Sequence, residues 1–340
     1  MSDNNPVTAI ILAAGKGTRM KSKHAKVLHE VFYKPMLTHV LDSLHRAGIN
    51  DHIVILGHQR ERVADAIGQY SYLPVFQEEQ LGTGHAVLCA ESACAGGEGL
   101  VMILCGDTPL LRSETLERMV QCHLQNGAAI SLMTTHLDDP FGYGRIIGDD
   151  NGNIYRIVEE KDADSEQRRL TEINAGVYLV DRQFLFSALK QVGTDNSQGE
   201  VYLTDIVRIA NDEGLSVRRF FHPEAIDVLG VNSRVELARA HTELQKRRNR
   251  ELMLGGVTMY QPESVFIGPD VLVGSDVLIF PGVQVSGASK IGDDCVIETG
   301  SQLHDCTLEA GAVVGAYSIL RGMTLSHGTL VPPQTCQFGD

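Results

Sequence analysis

The chain has 340 residues, of which 43% are hydrophobic and 21% charged, and a formal net charge of −14. That length is long for one hydrophobic core, so two domains are expected, and the acidic balance excludes a general nucleic-acid binder, which needs clustered lysine and arginine. The single basic cluster, Lys246 to Arg250, reads as a solvated helix face. No apolar run approaches the ~20 residues of a membrane span. Seven scattered cysteines include no Cys-x-x-Cys pair, which points to reduced thiols and a cytoplasmic protein. Met1 to Pro6 shows neither the basic region nor the apolar core of a secretory signal.

Val7 to Leu12 is an apolar run containing β-branched residues, read as a strand buried on both faces of a parallel sheet. It leads into Ala13-Ala14-Gly15-Lys16-Gly17-Thr18-Arg19. Small residues there let the backbone approach a ligand and offer it N–H groups. Lys16, Arg19 and Lys26 add charge suited to phosphate oxygens. The spacing is not that of a P-loop, and Met20 stands where a dinucleotide fingerprint needs its third glycine. The string Leu12 to Met20, followed by Lys26-Val27-Leu28-His29, closely resembles the start of sugar-nucleotide pyrophosphorylases. The likeness is closest to N-acetylglucosamine-1-phosphate uridylyltransferases, the amino-terminal half of a bifunctional bacterial family. The resemblance implies a doubly wound, Rossmann-like α/β nucleotidyltransferase domain over residues 1–230. It places Leu12, Ala13, Ala14, Gly15, Lys16 and Gly17 against the nucleotide, and makes Arg19 and Lys26 catalytic.

Pro35 to Leu44 carries one apolar helical stripe, with Gly48 as its stop. His52 to Leu56 reads as a strand, Arg60 to Gln69 as a helix and Leu73 to Phe76 as a strand, an alternation expected of an α/β sheet. Gln77 to Ala86 then joins a strand to a helix, with Gly82-Thr83-Gly84 at the junction. Thr83 there could simply cap the helix; the resemblance instead gives Gln77, Gly82 and Thr83 to uracil and ribose. Leu100 to Leu104 is another buried strand, and Asp107 follows it at the crevice where α/β sheets bind ligands. A bare Gly-Asp reads equally as a turn aspartate bonding its own backbone and as a carboxylate that suits Mg²⁺ beside nucleotide phosphates; the preceding loops favour the metal. The likeness adds Gly106 to the substrate contacts and Asn232 as the second metal ligand, although Asn232 or Ser233 also reads as a helix cap. The resembled family usually has tyrosine where this chain has Cys105, and proline where it has Ala25. Ser113 to Gln125 reads as a helix and Ala128 to His136 as a strand. Farther along, the resemblance assigns Gly144, Glu159 and Asn174 to the sugar hydroxyls and acetamido group, with Tyr202 and Thr204 lining the same pocket.

A long helix is expected over Arg234 to Leu254, within a connecting segment 231–256 that ends at Gly255-Gly256. From Val265 aliphatic residues recur every six positions, at Ile267, Val273, Ile279 and Val285. A two-residue insertion, a break in the repeat, is expected after Val285; the rows then run through Ile291, Ile297 and Leu303, and, after a five-residue step, Leu308, Val314 and Leu320. Short repeats of this kind build a solenoid. At three hexads per turn the segment supplies somewhat more than three coils, with Val331 to Pro333 expected to finish the last; the resemblance makes the domain, residues 257–340, a left-handed parallel β-helix, expected to be a homotrimerisation module. The family's later coils, with their His-Leu-Thr-Tyr and Asn-Tyr-Asp segments, do not follow, so acetyltransferase activity is expected to be absent.

The reaction implied is UTP plus N-acetylglucosamine 1-phosphate giving UDP-N-acetylglucosamine and pyrophosphate, with Mg²⁺ on Asp107 and Asn232. Two alternatives stay open from the residues: another sugar 1-phosphate, or a non-catalytic nucleotide-sugar-binding trimer.

Overall fold

Alternation along the first strand shows how the sheet is buried. In β1 (Val7–Ala13), Ala9, Ile11 and Ala13 enter one hydrophobic core, whereas Ile10 and the following Ala14 enter another on the opposite face. A strand covered on both faces needs apolar side chains at consecutive positions, as the run from Ala9 to Leu12 supplies. These features come from a computed structural model that describes residues 6–94 and 98–339. Apart from Pro6, the segment read for a targeting signal lies outside the described residues.

Chain order continues through β2 (Glu30–Val31), β3 (Lys34–Pro35), α1 (Met36–Arg46), β4 (Asp51–Leu56), α2 (Arg60–Ala66), β5 (Leu73–Phe76), α3 (Thr83–Leu88), β6 (Leu100–Cys105), α4 (Ser113–Asn126) and β7 (Ile130–His136). Then follow β8 (Arg145–Gly148), β9 (Ile154–Val158), β10 (Glu172–Asp181), α5 (Arg182–Leu189), α6 (Ile206–Asp212), β11 (Val217–Phe221), α7 (Ala225–Val228) and α8 (Arg234–Leu254). The main sheet runs in the order β11-β7-β10-β6-β1-β4-β5, with β8 and β9 appended to β10. Helices α1, α2 and α4 send Leu41, Val63 and Met119 into the first core; α3, α5 and α6 send Val87, Leu185 and Ile206 into the second. The sheet is therefore doubly wound.

Strand order changes direction at β1. The chain steps outward from β1 to β4 and β5, then returns to place β6 on the other side of β1. A crevice opens at such a switch point beyond the carboxyl ends of the strands. Two features depart from the sequence reading. Strand β10 is antiparallel to both neighbours, β6 and β7, so the sheet is mixed. Helix α2 stops at Ala66, three residues short of the expected Gln69: the chain turns at Gly68, and the Tyr70 hydroxyl bonds Asp42 at 2.6 Å.

The chain divides into two compact units, Met1–Glu30 with Lys34–Glu236, and Val31–Tyr33 with Leu237–Asp340. In the second, fourteen short strands from β12 (Thr258–Met259) to β25 (Cys336–Phe338) stack into three parallel sheets. This is the coil pattern of a left-handed parallel β-helix. The break placed after Val285 is absent: β16 (Gln284–Ser286) and β17 (Lys290–Ile291) keep the six-residue step. The repeat also begins earlier and runs later than Leu320, so there are more coils than expected. Pro332 and Pro333 form a turn rather than an end, because β25 follows and pairs with β22 (Ile319–Arg321). A second buried row lies two residues before each aliphatic one. There Ser289, Ser301 and Ser318, fully buried, bond backbone carbonyls, and Cys295 and Cys306 fill the same corners. Among the described residues no helix is long and apolar enough to cross a membrane.

Candidate active site

The crevice is built by three loops that meet on one carbonyl. Ala14 O accepts from the His58 amide at 3.2 Å and from Gln80 Nε2 at 2.8 Å, so the loops after β1, β4 and β5 are tied together. Beside them the Gly106 amide donates to Leu12 O at 3.0 Å, which sets the tip of β6 against the same loop. The cleft holds about 380 Å³. Leu12, Ala13, Ala14, Gly15, Gly17 and Arg19 line one side of it. Gln77, Gly82 and Thr83 line another, with Lys26, Asp107 and Asn232 at its polar end. Among the described residues the amides of Gly15, Lys16 and Gly17 find no acceptor, an arrangement suited to an anion.

Lys26 organises the polar end. Its ammonium forms an ion pair with Asp107 Oδ2 and donates to Asn232 Oδ1 at 2.5 Å. Arg19 Nη2 donates to the same Asn232 oxygen at 2.7 Å. Gly17 makes this geometry possible. Its φ of 60° is left-handed, and a β-carbon there would stand 2.5 Å from Lys26 Cβ. Asn232 is carried by a strap bonded to the Asp107 turn, where the Val231 amide donates to Asp107 O at 2.9 Å. Ser233, not Asn232, caps α8: its hydroxyl accepts from the Glu236 amide at 3.2 Å, while the Glu236 carboxylate takes the Asn232 amide at 2.5 Å. The Asn232 carboxamide is thereby released to the cleft.

The Lys26 ammonium lies between one carboxylate oxygen and one carboxamide oxygen, the latter shared with Arg19. A hard all-oxygen pair of this kind fits Mg²⁺ completed by phosphate oxygens and water. Burial pushes the neighbouring Cys105 thiol up to about 12; Asp107 adds to the effect and Lys26 opposes it. Burial thus favours the neutral thiol.

A second group adjoins this cleft. The Asn174 amide donates to Gly144 O at 2.9 Å, and Glu159 accepts from the Thr204 hydroxyl at 3.0 Å. The register of β10 against β7 shifts between Asn174 and Tyr178, an irregularity of the kind that re-aims side chains. Asn174 Nδ2 bonds the Tyr178 hydroxyl at 2.7 Å. Tyr202 is oriented otherwise than Thr204: its hydroxyl donates to Asp162 at 3.1 Å and accepts from Gln198 at 2.8 Å. Thr83 does not cap α3 with its side chain. It accepts from the Leu203 amide at 3.2 Å, tying the loop after β5 to the segment bearing Thr204.

Lys16 is the exception among the loop residues. It lines a neighbouring hollow with His58 and Arg60 rather than the main cleft. Gln80 and Glu200 line the cleft although the sequence reading did not single them out. Gln80 lies in the already noted Gln77–Ala86 string, and the Ser233-x-x-Glu236 capping pattern was also readable. Nothing local marks Glu200.

Residues 9–199 match the model of the MobA-like NTP transferase domain. The chain is 52% identical over 334 residues to the bifunctional protein GlmU of Desulfotalea psychrophila, covering 98% of each. It is 47% identical over 306 residues to the bifunctional protein GlmU of Exiguobacterium sibiricum, covering 90% of this chain and 68% of that one. Among solved structures, a Bacillus anthracis chain assigned as a glucose-1-phosphate thymidylyltransferase superposes with a TM-score of 0.57 at 23% identity. It covers 70% of this chain and 94% of its own, a likeness of fold. On identity sustained over 334 residues, through both units, this chain belongs to the bifunctional GlmU family and carries its NTP transferase domain.

Proposed function

We propose that the protein is a uridylyltransferase that makes UDP-N-acetylglucosamine and pyrophosphate from UTP and N-acetylglucosamine 1-phosphate. The observation that carries this reading is the convergence of Arg19, Lys26, Asp107 and Asn232 at one end of the cleft. A carboxylate, a carboxamide and two cations around unpaired loop amides serve a polyphosphate, not a neutral ligand.

The nucleophile is a phosphate oxygen of the sugar phosphate, mostly dianionic at neutral pH with a second pKa near ~6. It forms a bond to the α-phosphorus of UTP as the bond from that phosphorus to the bridging oxygen breaks. Pyrophosphate leaves with the electron pair. No general base is needed; the protein's task is to position and to offset charge. Lys26 offsets charge on the α-phosphate of the transferred uridylyl group. Arg19 and the Gly15–Thr18 amides hold the departing pyrophosphate. Asp107 and Asn232 would hold Mg²⁺, which when bound supplies positive charge to the phosphates. Gln77, Gly82 and Thr83 meet the uridine; Gly144, Glu159, Asn174 and Thr204 meet the sugar, with Tyr202 behind them.

We further take the β-helix to assemble a homotrimer, with exposed Leu272, Leu330 and Phe338 as apolar surface available to it. Seven free cysteines suit a reducing cytoplasm. The deciding experiment is a panel of nucleoside triphosphates and sugar 1-phosphates, followed by pyrophosphate release with and without Mg²⁺. Preference for UTP with N-acetylglucosamine 1-phosphate is expected. Turnover with another sugar phosphate would redirect the assignment, and no turnover at all would leave a binding protein.

A further inference from the structure

Arg145 has a guanidinium sealed inside the first unit, with 1% of the residue exposed. A charge so deeply placed is tolerated only when it is paired and hydrogen-bonded. Its Nη2 donates to Glu160 Oε2 at 2.7 Å, and its Nη1 donates to the Tyr143 carbonyl. The same Glu160 oxygen accepts from the Gly142 amide at 3.2 Å. One buried fork and one carboxylate therefore hold the backbone of Gly142 and Tyr143 together.

Those two residues lead directly into the candidate sugar pocket. A β-carbon built on Gly144 would stand 2.9 Å from Ile157, 3.6 Å from Glu159 Oε2 and 3.7 Å from Asn174 Cβ. In the other direction, the Tyr143 phenol lies within electrostatic reach of Glu236, Asp107 and Arg19. Outside this grip the segment is lightly held: Phe141 is 77% exposed and Gly142 has a φ of 85°. Arginine is suited to the task because its planar fork can reach a carbonyl and a carboxylate at once, which lysine cannot do with the same geometry.

We propose that Arg145 and Glu160 are a positioning pair for the sugar substrate, setting the Gly142–Gly144 backbone against Glu159 and Asn174 and so determining sugar affinity. This rests on the reading of that pocket as the sugar site. Neither side chain touches substrate; both act through the backbone.

The test uses the full chain with Glu160→Ala, Glu160→Gln and Arg145→Lys. Michaelis constants for the sugar 1-phosphate and for UTP are measured separately, with amide exchange across residues 138–147. Glu160→Ala should raise the sugar-phosphate KM about tenfold or more, while UTP KM and kcat stay within about threefold, as expected when a group that binds ground and transition states alike is lost. Glu160→Gln, which keeps an acceptor for the Gly142 amide but leaves Arg145 without its counter-charge, should recover part of that loss. Arg145→Lys should fall between, and it carries the test if the alanine variant does not fold. Exchange should quicken at 138–147 and not across the 12–20 loop. Equal rises in both KM values, loss confined to kcat, or unchanged exchange would overturn the proposal. A wild-type protein inactive on every sugar 1-phosphate would instead sink the sugar-site reading and with it the affinity claim, while the exchange arm would still decide whether the pair holds this backbone.

Discussion

The Lys26 ammonium and the Asn232 carboxamide, 206 residues apart in sequence, meet at 2.5 Å. Asp107 closes the triangle through its ion pair with the same ammonium. Lysine thus lies between the two oxygens to which the proposed function assigns Mg²⁺, and on that proposal ammonium and cation compete for them.

That competition has a direct consequence. Lys26→Met should bind Mn²⁺, used as a spectroscopic substitute for Mg²⁺, more tightly than the wild type in the absence of nucleotide, while turnover falls on the order of 10²–10³-fold. Asp107→Ala should lose turnover to a similar extent and weaken Mn²⁺ binding instead. Electron paramagnetic resonance titration beside pyrophosphate release measures both; equal Mn²⁺ affinity in the two variants would refute the shared position.

Adjacent residues divide two tasks at the start of α8. Ser233→Ala removes the cap and should cost about 1 kcal/mol of stability with kcat almost unchanged. Asn232→Ala should leave thermal stability nearly intact and lower turnover by roughly 10²-fold. Melting curves and steady-state rates on the pair check this, and the reverse pattern would return Asn232 to a capping role.

Gly17→Ala places a β-carbon 2.5 Å from Lys26 Cβ at a φ of 60°. The left-handed backbone alone costs about 1–2 kcal/mol for a residue with a β-carbon, and the clash must be relieved by moving Lys26. Stability and turnover should therefore both drop. Denaturant unfolding and kcat on one preparation decide it; loss of stability with full activity would mean that the position of Lys26 is not critical.

Glu159 supplies a pH test. Burial raises its carboxyl above the ordinary value, with the Thr204 hydrogen bond opposing and Asp162, Asp205 and Glu200 reinforcing. A carboxyl that protonates more readily folded than unfolded stabilises the fold below its ordinary pKa. That contribution is lost as pH rises through the raised value. Glu159→Gln, which cannot ionise, should therefore melt higher than the wild type at pH 7.5, with the difference vanishing towards pH 4. Its sugar-phosphate KM should rise roughly ten- to hundredfold, the scale of a hydrogen bond to a charged group. A gap in melting temperature that does not change with pH would contradict the buried ionised carboxylate.

Much of this molecule is written locally. Consecutive apolar side chains in Val7–Ala13 specify a strand covered on both faces, and a six-residue aliphatic step specifies a coil, because burial periodicity is a property of neighbours in sequence. Glycine at position 17 is legible for the same reason. What only the tertiary structure decided lies where distant segments meet. The return of the chain from β5 to β6 puts Asp107 beside the β1 loop, and the strap from Gly230 carries Asn232 onto Lys26. Lys16, inside the most informative string of the sequence, turns into the adjoining hollow. The Arg145–Glu160 fork carries no sequence mark, since its value depends on a low-dielectric interior that exists only once β8, β9 and β10 have packed. Local pattern encodes which surfaces are buried; the order in which strands are laid side by side decides which polar groups share a site.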